Sequence, residues 1–130
     1  MNSGTGFTPG LNMRAVGIGM IWGLVLMLGT SLLQTVFSAI SPMSEGTLGL
    51  LALAYRGLAA LVGGYVAARR ASSWGWVHGA MAGTALVLSL FAVMGVGWAL
   101  PTLADFLKVM GVGTLMGSLG GVVGINSGDR

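Results

Sequence analysis

The chain has 130 residues, of which 55% are hydrophobic and only 7% charged, with a formal net charge of +3. A soluble domain carries about 25% charged residues, so an ordinary water-facing surface is excluded, and six scattered basic residues exclude a nucleic-acid footprint. Cysteine is absent, which excludes disulfides, thiolate nucleophiles and cysteine metal sites.

Residues 1–13 are polar and contain Gly4, Gly6, Pro9 and Gly10, the composition of a flexible tail. Apolar stretches follow at 15–40, 48–68, 76–100 and 103–125. Each exceeds the roughly 20 residues that cross a hydrocarbon core. The expected fold is therefore all-α and membrane-integral: a four-transmembrane-helix bundle over residues 14–126, with a short C-terminal tail at 127–130. The first stretch is much longer than the ~7–15-residue apolar core of a signal peptide, and it reads as a retained span. Between the first two spans, Ser44 offers a helix cap and Glu45 suits the positive helix end. Residues 69–75 form a polar loop. After Pro101, Thr102 and Asp105 have the spacing of a capping-box variant that starts the fourth helix.

If four spans alternate, Arg14, Arg69, Arg70 and Arg130 share one side, while the loops on the other side hold only Glu45. The positive-inside rule then puts both termini in the cytoplasm. Trp74 and Trp76 fall at the inner interface and Trp98 at the outer one, as an aromatic belt predicts.

Each span carries small residues four apart, on one helix face. Gly19 and Gly23 follow Ala15 in the first, and Ala60, Gly64 and Ala68 mark the second. Gly79 and Gly83 follow Gly75 in the third, and Gly113, Gly117 and Gly121 mark the fourth. Small faces let helix backbones approach closely in lipid. They predict a tightly packed cytoplasmic half, with at least one stripe available as a seam to a second copy or a larger membrane complex. Gly63-Gly64-Tyr65-Val66 echoes Gly120-Gly121-Val122-Val123, which suggests two repeated helical hairpins.

Arg56 is the most informative residue. It lies about eight residues into the second span, roughly 12 Å below the outer surface, where a charge costs at least a few kcal/mol unless paired or hydrated. It continues the face of Ala60 and Gly64. Asp105 lies on the face of Gly113, and Gln34 extends the first stripe outward. The reading is a cluster of Gln34, Arg56 and Asp105 in the outer half, with Lys108 nearby but rotated by about 60°. An Arg56–Asp105 ion pair is its structural form. A hydrated vestibule that binds a small ion or a lipid headgroup is its functional form. His78, beside Arg70 and two tryptophans, is expected to be interfacial and hydrated. Arg69 and Arg70 are candidates for contact with anionic lipid headgroups. No set of residues suggests a metal or a cofactor.

The run Gly63-Gly64-Tyr65-Val66-Ala67-Ala68-Arg69-Arg70-Ala71, followed by Gly75-Trp76-Val77-His78-Gly79-Ala80, resembles the YrzE-like family, small four-span bacterial membrane proteins of unknown function. The resemblance implies a bacterial inner-membrane location and no catalytic residues. Small multidrug transporters share the size, but they need a membrane-embedded carboxylate in the first helix, where this chain has none.

An enzyme is not expected, because no nucleophile–base pair, phosphate loop or metal set can be assembled. The leading expectation is a structural or accessory membrane protein that packs through glycine-lined helices against itself or a complex. The alternative is a small channel, transporter or lipid-binding protein that uses the outer polar cluster.

Overall fold

A computed structural model describes residues 10–95 and 101–127, with Met94 described by its backbone alone. The expectations for residues 1–9, the end of the third span at 96–100 with Trp98, and Arg130 lie outside the described residues. Four helices account for nearly all the rest: α1 (Met13–Ile40), α2 (Glu45–Arg70), α3 (Gly75–Gly95) and α4 (Leu103–Asn126). Each is long and apolar enough to span a membrane. At 1.5 Å per residue they measure about 31–42 Å, against a hydrocarbon core of about 30 Å.

Three helices begin on side-chain caps. Asn12 accepts from the Ala15 amide, Ser44 from that of Thr47 and Thr102 from that of Asp105. Each cap satisfies one of the amides that a helix start leaves without a partner. Arg69 and Arg70 close α2, where positive charge complements the helix dipole.

Helices α2 and α3 touch each other and both remaining helices, whereas α1 and α4 do not meet among the described residues. The bundle is thus a central pair flanked on either side. One end carries Arg14, Arg69 and Arg70, and is called here the basic end. The other carries Glu45 and Asp105, and is called the acidic end.

Side-chain size is distributed inside out. Alanine is the commonest buried apolar residue among those described, at Ala15, Ala59, Ala60, Ala67, Ala68 and Ala82, with Val16, Met27, Leu86, Val87 and Val109 as the larger ones. Large apolar side chains such as Leu32, Leu33, Ile40, Leu50 and Val93 point outward. Small interior residues permit backbone-to-backbone contact, and the dispersion gained there is the main attraction between helices when the surroundings are themselves apolar.

Glycines make that contact possible along three seams. Gly19 of α1 lies on Gly63 and Ala67 of α2, and Gly23 lies on Ala59 of α2 and Leu86 of α3. Gly64 of α2 lies on Gly117 of α4, while Gly120 and Gly124 of α4 lie on Leu61 and Tyr65. In the third seam, Gly75, Gly79 and Gly83 of α3 meet Gly113, Gly117 and Gly121 of α4. A methyl group at Gly75 would stand 2.8 Å from the Gly121 carbonyl oxygen, closer than packed atoms tolerate. Gly117 belongs to two seams at once, touching α2 at Gly64 and α3 at Gly79 and Gly83. Next to the α3–α4 seam, the Thr84 and Thr114 hydroxyls share a 2.8 Å hydrogen bond.

Candidate functional site

Polar groups gather in two places, one toward the acidic end around Arg56 and one at the basic end around His78. The first follows from helix register. Because α2 and α4 run in the same direction, with Gly64 beside Gly117, Gly57 beside Val112, and Leu61 and Tyr65 beside Gly120 and Gly124, counting along both helices brings the Arg56 backbone level with residues 109–115 of α4, deeper in the bundle than Lys108. Asp105 then lies between one and three turns further toward the acidic end, ~6–15 Å along the axis.

Two clefts open there, and Arg56 lines both. The cleft between α1 and α2, about 450 Å³, is also lined by Ser31, Gln34, Thr35, Ser38 and Tyr55. The cleft between α2 and α4, about 430 Å³, is lined by Asp105, Lys108 and Val109 together with Gly46, Gly49, Leu50 and Leu53. Both volumes fall within the roughly 300–1,000 Å³ of small-molecule sites. Gln34 and Asp105 therefore sit in different clefts with Arg56 between them. Lys108, expected to turn away, shares a cleft with Arg56 and Asp105.

Most polar groups here are already engaged. Gln34 Nε2 donates to the Leu48 carbonyl at 3.1 Å. The Thr35 and Ser38 hydroxyls donate to carbonyls of their own helix at 2.9 Å. Asp105 Oδ2 accepts from the Thr102 hydroxyl at 2.7 Å. Among the described residues Arg56 forms no hydrogen bond or ion pair, and the expected Arg56–Asp105 pair is not made. The physical reason is placement. Asp105 turns back to the Thr102 hydroxyl that caps its own helix, at least one turn nearer the acidic end than the Arg56 backbone.

His78 differs from the sequence expectation of a hydrated interfacial residue. It is 1% exposed. Its Nε2 accepts from the Asn12 amide at 2.8 Å, and its Nδ1 lies 3.0 Å from the Trp74 carbonyl oxygen. A backbone amide only donates and a carbonyl only accepts, so the ring fits its partners only as the neutral tautomer with hydrogen on Nδ1. His78 thereby ties the start of α1 to the start of α3. The same Trp74 carbonyl accepts from the amides of Val77 and His78. Trp74 has φ 55°, a left-handed backbone conformation that a bulky residue adopts only when its surroundings enforce it. No spacing rule signals this tie, because the chain that covers His78 lies 66 residues away. The one available sign was Asn12, an N-cap residue just ahead of an apolar run.

Arg69 and Arg70 are exposed at the basic end, as are Trp74 and Trp76. Arg69 donates to the Tyr65 hydroxyl at 3.0 Å, with its guanidinium carbon 5.8 Å from the centre of that ring.

Long apolar helices, an interior of small residues and a polar opening toward one end define a class of small multi-helix proteins suited to crossing a membrane. The chain belongs to a family described as protein of unknown function (DUF3792), which matches residues 12–124. No curated protein and no solved structure matches it.

Proposed function

We propose that this is a multi-pass protein of the bacterial inner membrane that binds a small anionic group at Arg56, in the half of the bundle away from the cytoplasm. The inside-out distribution of side chains supports insertion. An apolar surface this continuous far exceeds the few hundred Å² that soluble monomers expose, whereas lipid tolerates it. The positive-inside rule supports a cytoplasmic basic end, and with it cytoplasmic termini and an outward acidic end. The resemblance to YrzE-like proteins supports the bacterial location. Gly19 on Gly63 and Gly83 on Gly113 close the two hairpins alike, in keeping with a repeat.

One observation carries the binding reading. A permanently charged guanidinium lies within a span, lines two clefts and has no acid or hydrogen-bond partner among the described residues. A charge at such depth costs at least a few kcal/mol when uncompensated, and an anion in either cleft offsets that cost. The test is native mass spectrometry of the full chain released from mild detergent. Wild-type protein should retain phosphate-bearing species that Arg56→Gln loses, and equal retention by both would remove the basis for a site.

A structural or accessory role is the second reading, favoured by α1. Beyond Thr30, Leu32, Leu33, Val36, Phe37 and Ile40 are all exposed, a broad face suited to a neighbouring helix. The glycines expected to pack the inner half, with at least one stripe left as a seam to another chain, Gly19, Gly23, Gly64, Gly79, Gly83, Gly113, Gly117 and Gly121, are all buried within the bundle. A homo-oligomer or a complex would therefore be built on the large side chains of α1 instead. Cross-linking in native membranes through Leu33→Cys should capture a neighbour under this reading and only monomer without it.

A further inference from the structure

We infer that the cleft between α2 and α4 binds the phosphoethanolamine headgroup of an outer-leaflet phospholipid, with its phosphate on Arg56 and Lys108 and its ammonium on Asp105. This rests on the Arg56 reading above and names the ligand.

The charges of the cleft are of both signs and are ordered by depth. Asp105 lies nearest the acidic end, Lys108 lies three residues deeper, ~4.5 Å along the helix, and Arg56 enters the same cleft from a backbone position deeper still. Two cations invite a phosphate, which a guanidinium binds through parallel N–H donors and an ammonium binds as a point charge. The carboxylate above them would repel a purely anionic ligand and instead invites a cation. A phospholipid of the outer leaflet presents its groups in the same sequence: tails toward the bilayer centre, then phosphate, then the head amine outermost. The two-carbon bridge between phosphate and amine is comparable to the rise from Lys108 to Asp105.

The rest of the wall agrees. Leu50, Leu53 and Val109 give the cleft an apolar side, against which the first methylenes of the tails can lie. Gly46 and Gly49 have open space where a side chain would stand, so the mouth is unobstructed. Asp105 gives one oxygen to the Thr102 hydroxyl, and a carboxylate has about four acceptor sites in all, so its other oxygen can take an ammonium N–H.

The same chemistry ranks the alternatives. A choline head has no N–H to donate to Asp105. A glycerol head offers only neutral hydroxyls and leaves the carboxylate without a cation. A serine head adds a second carboxylate beside the first. Only a phosphate joined to a primary amine with no further charge satisfies all three side chains.

The experiment places the full chain in phosphatidylcholine nanodiscs containing equal small amounts of phosphatidylethanolamine and phosphatidylglycerol, and counts retained lipids by native mass spectrometry. Wild-type protein should retain phosphatidylethanolamine over the other two by about tenfold, the worth of one charge-assisted hydrogen bond. Asp105→Asn, whose amide oxygen can still accept from Thr102, should lose that preference while still holding phosphate-bearing lipid. Arg56→Gln should lose retention altogether, with Lys108→Gln giving the same readout if the first variant does not fold. Wild-type retention without preference, or a preference unchanged in Asp105→Asn, overturns the headgroup assignment but leaves the Arg56 reading standing. Retention that ignores Arg56 and Lys108 overturns both. If inorganic phosphate raises the melting temperature of the wild type while no lipid is retained, the ligand is a free anion and the headgroup assignment falls.

Discussion

Toward the basic end, α4 meets α2 and α3 with little more than glycine between the backbones. Toward the acidic end α3 and α4 stay together through the Phe91 and Phe106 rings, 4.9 Å between centres, while α2 and α4 part, and the space between these two is lined by Arg56, Asp105 and Lys108. The first region is closed by geometry: Gly64, Gly79 and Gly83 converge on Gly117, and the approach leaves no volume for a side chain. The second is held open by size and charge, since residues that carry long charged side chains cannot bring backbones together. A single helix pair thus provides a rigid clamp and a binding cleft by changing residue size along its length.

Substitutions should separate the two regions sharply. The largest effect is expected at Gly117→Val, where added methyls meet the backbone of α3 and disturb the Gly64 contact on α2. The loss should be about 3 kcal/mol or more, the upper range for overpacking, seen as a collapse of the melting temperature in mild detergent. His78→Ala comes next, at about 2–3 kcal/mol, because it strands the Asn12 amide as well as losing two hydrogen bonds. Hydrogen exchange should then quicken at the first turn of α1 and leave α4 unchanged. Thr84→Val keeps its shape and removes only the bond to Thr114, which should cost about 0.6 kcal/mol, the average for interhelical bonds in membranes. The smallest effect is expected at Gly111→Ala, where nothing lies within 4 Å of the added methyl, so the change should stay within about 0.5 kcal/mol. If Gly111→Ala proved as damaging as Gly117→Val, the contrast between clamp and open surface would be lost.

The sequence made some of this legible. Four long apolar runs mark four helices because their length and composition leave few other solutions. Thr102 and Asp105 announce their cap by spacing alone. The glycine stripes are equally visible, but not their pairing. That Gly117 serves α2 and α3 together, while α1 does not meet α4 among the described residues, depends on how the helices are arranged around one another, which periodicity does not encode. Arg56 could be placed by depth but not by partner. Residues four apart share a face, yet which face of α2 looks toward Gln34 and which toward Asp105 is decided by packing. His78 was least legible of all, because its burial comes from the chain just ahead of α1 folding across the start of α3.

The central claim is that the bundle opens to the outside around Arg56 and is sealed deeper in. The chain has no cysteine, so single cysteines can be placed without background and probed with a membrane-impermeant maleimide added outside sealed cells. Gln34→Cys and Ala52→Cys, both in an Arg56 cleft, should be modified, while Val87→Cys, at a buried position beside Gly113, should not. Protection of Gln34→Cys and Ala52→Cys, or their modification only from the cytoplasmic side, would contradict the account.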